Sequence, residues 1–343
     1  MTTSLQSANI PAAADSSAQL SALLTGAALA PLDDAGWIRV TGEDRVRWLN
    51  GMVTNSIQQL APGEGCYNFV LNAQGRIQGD LTAFALPDSI LLETSRDQIP
   101  ALLAHLDHFI IMDDVELANI SDSRHGILIA GPQSASILVK LNLSAGPGST
   151  MQSTAWNAAP IDIVHAHSPI VPRIELWSDR ATIKRLQADL IAAGATPVSP
   201  EALNQLRILE GTPRYGTDIR NSETARDLPQ ETAQTRALHF TKGCYLGQEI
   251  VERIRSRGNV HRTFTGFELT GTLPEPGAAL TAEGKAVGKF TSVAAIQLPQ
   301  SATRPRTVQL ALGYVLREAI DRSLTLEYPG GTATPVAPPY PIS

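Results

Sequence analysis

Apolar residues in the first two-thirds of the chain follow both helical and strand periods. Residues 37–40 alternate as a strand does, and the apolar positions in 46–52 recur at helical spacing. Leucines and a phenylalanine share one helical face of residues 98–110. Another helix is predicted from Ser199, Pro200 and Gly211, which suit its cap, its first position and its end. The other predicted strands are 67–71, 77–86, 89–93, 126–130 and 161–177, the other predicted helices are 134–141 and 182–193, and 144–160 is a predicted loop.

The last third of the chain has a different pattern. Short apolar strands at 264–269, 286–293, 308–315 and 323–328 are separated by Gly and Pro, which predicts a small β-barrel. The start of the chain is rich in Ser, Ala and Thr, a composition typical of disorder. We therefore predict an α+β protein with a disordered N-terminus at 1–18, an α+β region at 19–258, the barrel at 259–329 and an extended, proline-rich tail at 330–343.

Composition narrows the class of protein. Apolar residues make up 43% of the chain and charged residues 17%, which is typical of a folded protein. The net charge of -6 argues against broad coating of nucleic acid. Two cysteines, Cys66 and Cys244, are too few for a disulfide scaffold or for the four thiolates of an iron–sulfur cluster. The histidines lack convincing metal-ligand spacing, so no metal is predicted.

The N-terminal sequence bears on location. No Lys or Arg precedes Arg39, which fits neither a secretory signal nor a mitochondrial transit peptide. Residues 20–32 are apolar but too few to span a bilayer. A cytoplasmic protein without a membrane anchor is therefore predicted.

Residues 242–249, Lys-Gly-Cys-Tyr-Leu-Gly-Gln-Glu, form what we call the signature segment. Apolar residues then recur with helical spacing, which predicts a helix beginning near Cys244 or Tyr245. A helix N-terminus and the nearby Lys242 would both favour a thiolate, so we expect the pKa of Cys244 below about 8.5 and Cys66 to be the less reactive thiol. The alternative is a half-buried cysteine that serves as a small apolar residue.

Basic residues continue beyond the signature segment. Residues 242–262 hold a local excess of three positive charges, which could bind the anionic tail of a small ligand or an RNA backbone. The alternative is a solvated helix face, with Glu249 and Arg253 forming an i,i+4 pair.

The signature segment resembles that of the YgfZ family of folate-binding proteins, relatives of the glycine-cleavage T protein, at every defined position. Residues 40–55, 71–81, 287–292 and 310–315 also resemble pieces of the T-protein superfamily. The resemblance implies a three-lobed, cloverleaf fold around a central hole that binds folate, with two interleaved lobes in residues 19–258.

Two departures separate the chain from the T protein itself. The T protein typically has two aspartates before the leucine that corresponds to Leu81, whereas this chain has Gly79 and Asp80. The T protein also has a Gly-Tyr-Thr-Gly-Glu segment that residues 168–176 lack. The chain is therefore expected to side with the YgfZ branch.

The resemblance also implies site residues. Asp80, Arg207, Gln248 and Glu249 are expected to bind the folate, with Cys244 as the functional thiol and Lys242 as its electrostatic support. Asp80 could instead be a solvated edge carboxylate, and Arg207 could pair with Glu210 at i,i+3. Gln248 and Glu249 could instead hydrogen-bond the loop that presents Cys244.

The expected function is that of a tetrahydrofolate-binding accessory protein that supports iron–sulfur cluster assembly or repair. Its expected partners are reduced folate, including polyglutamylated forms, and iron–sulfur client proteins or assembly factors. The alternative is a folate-dependent aminomethyltransferase or other one-carbon transferase. An RNA-binding role through the basic residues is a third and weaker hypothesis.

Overall fold

The computed structural model of the protein describes residues 16–144, 150–220, 222, 226–258, 260–299 and 306–342. Residues 1–15 of the predicted disordered N-terminus lie outside this part of the chain. Residues 16–18 instead open the first helix, whose Leu20 and Leu23 are fully buried.

The described residues form helices and strands in alternation. The helices are α1 (Ser16–Thr25), α2 (Arg45–Met52), α3 (Ile99–Asp107), α4 (Ser134–Lys140), α5 (Arg180–Ala192), α6 (Pro200–Glu210), α7 (Gln248–Arg257) and α8 (Arg317–Asp321). The strands are β1 (Ala28–Pro31), β2 (Ala35–Thr41), β3 (Gly65–Leu71), β4 (Ile77–Ala85), β5 (Ile90–Ser95), β6 (Glu116–Asn119), β7 (His125–Ala130), β8 (Met151–Trp156), β9 (Ala159–Ala166), β10 (Arg173–Ser178), β11 (Thr196–Pro197), β12 (Arg262–Gly271), β13 (Ala279–Ala282), β14 (Lys285–Leu298), β15 (Arg306–Leu316), β16 (Leu326–Tyr328) and β17 (Gly331–Val336).

Two sheets share the first two-thirds of the chain. The six-stranded sheet has the order β11-β1-β7-β10-β9-β8, and the five-stranded sheet has the order β3-β4-β5-β2-β6. The chain leaves the first sheet after β1, builds the whole second sheet, and returns to the first sheet with β7. Trp37 of one sheet and Trp177 of the other meet edge to face at 5.0 Å in a buried cluster that joins the lobes.

The third lobe is a closed barrel of six strands, in the order β12-β15-β14-β13-β16-β17. This confirms the predicted α+β class and the C-terminal barrel. The predicted end of the barrel at 329 was too early, because β17 pairs with both β12 and β16. The tail that was expected to be merely extended therefore supplies the strand that leaves the barrel without an open edge.

Another prediction failed at the edge of the six-stranded sheet. The expected loop at 144–160 contains β8, which pairs along its length with β9. Its central residues are polar and exposed, so this edge strand carries no alternating apolar pattern to reveal it. Residues 145–149 lie outside the described residues. Within the described part of the chain, no helix is long and apolar enough to cross a membrane.

The helix predicted from its end signals forms as expected. The Ser199 hydroxyl accepts a hydrogen bond from the Ala202 amide at 3.3 Å, and Pro200 begins α6. Gly211 ends the helix at a φ of +69°, in the left-handed region that favours glycine. This helix matters for the site because one of its faces lines the central cavity.

Candidate functional site

A cavity of about 420 Å³ lies where the two sheets meet α6 and the loop that follows it. Its walls come from β4 and β5 on one side, from β9 and β10 on the other, and from residues 203–215. The volume lies within the range of small-molecule sites in proteins, roughly 300–1,000 Å³. The cavity therefore needs elements of both sheets and α6, and no single lobe could form it.

Asp80 of β4 is fixed on the cavity wall by two donors. The Tyr67 hydroxyl donates to its Oδ2 at 2.6 Å and the Gln98 side-chain amide donates to its Oδ1 at 2.8 Å. Burial raises the pKa of Asp80, while the hydrogen bonds from Tyr67 and Gln98 oppose that rise. Each carboxylate oxygen has a second lone pair, so Asp80 can still accept a hydrogen bond from a ligand.

A second acidic group lines the same cavity. Glu93 of β5 faces Glu175 of β10, and the pKa of Glu93 is raised well above its usual value, first by burial and then by the Glu175 charge. Glu175 is itself buried and accepts from Arg173 at 3.0 Å and from the Trp177 indole at 3.3 Å. The Glu93 carboxyl therefore holds a proton more readily than an ordinary glutamate does, and the pair can offer both a donor and acceptors.

Arg207 of α6 also lines the cavity, but its guanidinium is occupied. Its five N–H groups bond to the Asn204 side chain (twice), the Thr212 carbonyl, Asp218 and Ser292, at 2.6 to 3.2 Å. The partner is therefore Asp218 and not Glu210, which accepts from Ser168. A direct contact between Arg207 and a ligand stays a prediction and requires exchange of one of these bonds.

The signature segment lies elsewhere: its residues are absent from the cavity walls formed by the described residues. The Lys242 ammonium donates to the carbonyls of Asn50 and Val53, both at 2.7 Å, and to that of Asn55 at 2.5 Å. These carbonyls lie at and just beyond the end of α2, so Lys242 ties the segment to that helix.

Lys242 interacts electrostatically with Cys66 rather than with Cys244. Burial lowers the pKa of Lys242 to about 8, and the Cys66 thiol opposes the decrease. Burial raises the pKa of Cys66, which the Asn68 amide and the Lys242 charge partly offset. Among the described contacts of Lys242, none is with Cys244, so the expected electrostatic support of that thiol stays a prediction.

The helix that follows begins later than expected. Gly247 precedes α7 at a φ of +82°, and a Cβ on it would lie 2.6 Å from the Asn72 carbonyl oxygen. This close approach to the β3–β4 turn delays the helix to Gln248, so a start at Cys244 or Tyr245 was wrong. Cys244 is exposed in the loop before the helix, and Gly247, not Cys244, is the N-cap residue.

The other residues of the signature segment have local roles. Gln248 accepts a hydrogen bond from the Tyr245 amide at 3.2 Å, which is the alternative role predicted for it. Glu249 is exposed on α7. Tyr245 is buried in a cluster with Phe69 and Val251. Binding of folate by Gln248 and Glu249 stays a prediction, and neither residue lines the cavity formed by the described residues.

Fewer unpaired positive charges remain in residues 242–262 than the sequence count indicates. Arg262 pairs with the buried Asp227 and with Glu231, and Lys242 is engaged as described above. The exposed arginines of α7 are Arg253, Arg255 and Arg257, and Arg255 lies over the Phe240 ring and near Glu252. Among the described residues, no three side chains of the metal-ligating types cluster as a metal site would require.

Several residues of the cavity were not predicted from the sequence. Tyr67 and Gln98 grip Asp80, Glu93 faces Glu175, and Arg236 lies over the Tyr67 ring at 4.0 Å. None belongs to a motif, and each comes from a different element. Glu93 and Glu175 stand among apolar residues of β5 and β10, and an acidic residue inside such a strand was the available sequence signal.

Comparison with known proteins identifies a matching family and several relatives of this chain. The GCVT N-terminal domain family matches residues 12–233. A chloroplastic protein of Arabidopsis thaliana with a provisional transferase name is 27% identical over 88% of this chain and 68% of its own length. The mitochondrial iron–sulfur cluster assembly factor IBA57 homologue of Neurospora crassa is 26% identical over 69% of this chain and 52% of its own. The tRNA-modifying protein YgfZ of Vibrio vulnificus is 26% identical over 74% and 73%, respectively.

A solved structure supports the fold. The glycine cleavage system aminomethyltransferase T of Bartonella henselae matches with a TM-score of 0.81, over 94% of this chain and 89% of its own, at 19% identity. At that identity the likeness concerns the fold alone, and it confirms the predicted T-protein-like arrangement. The family match covers well over half of the chain, and the chain therefore belongs to the GCVT N-terminal domain family.

Proposed function

We propose that this chain is a tetrahydrofolate-binding accessory protein that supports assembly or repair of iron–sulfur clusters, with Cys244 as its functional thiol. The observation that carries the proposal is the cavity between the two sheets and α6, with Asp80 on its wall. The Neurospora relative is named for iron–sulfur cluster assembly and the Vibrio relative for tRNA modification under the name YgfZ. The intact signature segment supports assignment to the YgfZ branch.

The cavity suits a reduced pterin chemically. A pterin presents several N–H donors along one edge of its ring. Asp80 and the Glu93–Glu175 pair offer carboxyl oxygens from two different sheets. Hydrogen bonds to a charged acceptor contribute about 1.5–3 kcal/mol each, so two or three of them could fix the ring's orientation.

The thiol would act on a partner rather than on the folate. Cys244 is exposed and lies outside the cavity walls, so a second macromolecule can approach it while the cavity is filled. Thiolates are the usual protein ligands of iron–sulfur clusters. We therefore propose that the partner is an iron–sulfur client protein or assembly factor that meets the exposed loop.

The alternative is a folate-dependent aminomethyltransferase, favoured by the fold and by an aspartate on the cavity wall. In that reading Asp80 orients the substrate against N5 of the folate. One observation argues against it. A Cβ at Gly79 would lie 2.6 Å from the Leu102 side chain and 2.9 Å from the Gln98 amide oxygen, so a second aspartate, as in the T protein, would have to displace both side chains.

Thermal unfolding with and without tetrahydrofolate tests the shared part of both proposals. At a ligand concentration about 100 times the dissociation constant, the expected stabilisation is near 2.7 kcal/mol. A well-folded sample that shows no shift at saturating reduced folate would contradict folate binding.

Two assays then separate the functions. Replacement of Cys244 by Ala at the chromosomal locus should lower the activities of iron–sulfur enzymes, whereas Cys66→Ala serves as the matched control. Folate-dependent ammonia release from an aminomethylated carrier protein would instead establish the transferase and refute the accessory role.

A further inference from the structure

Four arginines line the cavity, and the guanidinium groups of two of them have fewer protein partners than those of the other two. Arg173 pairs with Glu175, and Arg207 has all five donors engaged. Arg214 and Arg236 also line the cavity, and both are exposed. Their charge contrasts with the carboxyl groups of the inner walls.

Arg236 is oriented by two contacts that leave its outer nitrogens available. Its guanidinium lies over the Tyr67 ring at 4.0 Å, and its Nε donates to the Gln234 side chain at 3.2 Å. Within the described residues, neither of its terminal nitrogens has a protein acceptor. The Tyr67 hydroxyl binds Asp80, so the free end of Arg236 lies one side chain away from the Asp80 carboxylate.

Arg214 has a fixed backbone and a free side chain. Its carbonyl accepts from the amides of Thr217, Asp218 and Ile219 at 2.8 to 3.2 Å, and its own amide donates to Asp218 at 2.9 Å. No acceptor for its guanidinium occurs in the part of the chain that the structure describes. It lies close enough to Arg207 for the two charges to interact. An exposed arginine held this near a like charge favours an anion.

We propose that Arg236 and Arg214 bind the carboxylates of the glutamate tail of the folate, and that they select its polyglutamylated forms. This inference rests on the proposed function and deepens it. A donor-rich ring would face the acidic inner walls, and the anionic tail would leave past the two free guanidinium groups. An arginine fork matches a carboxylate in two parallel hydrogen bonds.

Arg236 and Arg214 suit the glutamate tail better than two sites suggested by the sequence do, namely the arginines of α7 and Arg207. The arginines of α7 are absent from the cavity walls that the described residues form, although they are exposed. Arg207 would have to break a bond with Asp218, Thr212, Asn204 or Ser292 to bind a carboxylate. Arg236 and Arg214 need break no bond of their terminal nitrogens to a described residue.

Calorimetric titration of the full chain with three probes, without oxygen, tests the inference. The probes are tetrahydrofolate with one glutamate, tetrahydrofolate with three glutamates, and 6-methyltetrahydropterin, which has no carboxylate. The natural chain should bind the triglutamate most tightly. Arg236→Gln and Arg214→Gln should each weaken triglutamate binding about tenfold, the loss of one charge-assisted contact, and leave the pterin affinity unchanged.

Matched variants separate this role from a structural one. The double variant Arg253→Gln, Arg257→Gln removes the same charge from α7 and should leave all three affinities unchanged. Arg236→Lys keeps the charge and should restore part of the triglutamate affinity. The inference would be overturned if the Arg236 and Arg214 variants lost no more triglutamate affinity than the α7 control does, or if they lost pterin affinity to the same extent. Folate binding itself would still stand in either case. Failure of the natural chain to bind any probe would overturn the proposed function as well.

Discussion

The cavity wall and the signature segment differ in how much of their chemistry remains available. On the wall, Asp80 has two protein donors and unused lone pairs facing an open space. In the signature segment, Lys242 is bound to three carbonyls, Tyr245 is buried and Gln248 holds the Tyr245 amide. Cys244 is exposed and is the one thiol of this segment.

The contrast teaches that a specific motif need not be a site in all of its residues. Most of the signature segment builds a clasp between α2, the β3–β4 turn and α7, and the clasp positions one thiol. Tyr67, Glu93, Gln98 and Arg236 line the cavity and belong to no motif. The experiments below test this division, in order of the expected effect.

Lys242→Met should produce the largest change, in stability. Three backbone carbonyls at the end of α2 would lose their donor, so the free energy of unfolding should fall by about 3 kcal/mol. Urea unfolding measures it, and Lys184→Met on the exposed face of α5 is the control. A loss no greater than that of the control would mean that the clasp is not structural.

Asp80→Asn should instead affect binding. The loss of a charged acceptor should weaken tetrahydrofolate binding about 10- to 100-fold. Stability should hardly change, because burial already disfavours the Asp80 charge. Titration and urea unfolding of the same sample give both numbers, with the exposed Asp107→Asn as control. A large loss of stability without loss of affinity would place Asp80 in the framework and not in the site.

The two thiols should react at rates that differ by about tenfold or more, because access and thiolate fraction both limit alkylation. Cys244 is exposed, whereas Cys66 is half-buried and burial raises its pKa. Alkylation followed by mass spectrometry on the native protein should modify Cys244 first, and the rate at Cys66 should climb with pH. Denatured protein provides the control, in which the two rates converge. If the two cysteines are alkylated at equal rates in the native protein, or if Cys244 reacts only after denaturation, Cys244 is not the accessible functional thiol.

The smallest effect concerns pH. The pKa of Lys242 falls to about 8 in the folded protein from a usual value of 10.5, so between these values the unfolded chain binds more protons. Its contribution to stability should therefore rise with pH across that window. Urea unfolding at several pH values should show this slope in the natural chain, and Lys242→Met should lack it. Identical slopes would mean that the ammonium keeps its proton in the clasp.

Local patterns were sufficient for much of the fold. The caps of α6 and the short strands of the barrel were predicted from neighbouring residues and were found. β8 was missed because its exposed central residues carry no apolar alternation, and β17 was missed because this strand of the proline-rich tail owes its structure to a distant partner, β12. The start of α7 was misplaced because Gly247 must fit against the β3–β4 turn, a contact that no local pattern records.

The sequence by itself determined the α+β class, the barrel, the eight residues of the signature segment and Asp80 as a candidate. The tertiary structure decided which groups stay free. Lys242 meets Asn50 across 192 positions of the chain, and Arg207 meets Ser292 across 85. Such partners depend on how the lobes pack, and a polar side chain is available to a ligand where that packing leaves its hydrogen bonds unfilled. Periodicity reports which face of an element is buried, but not what lies opposite it.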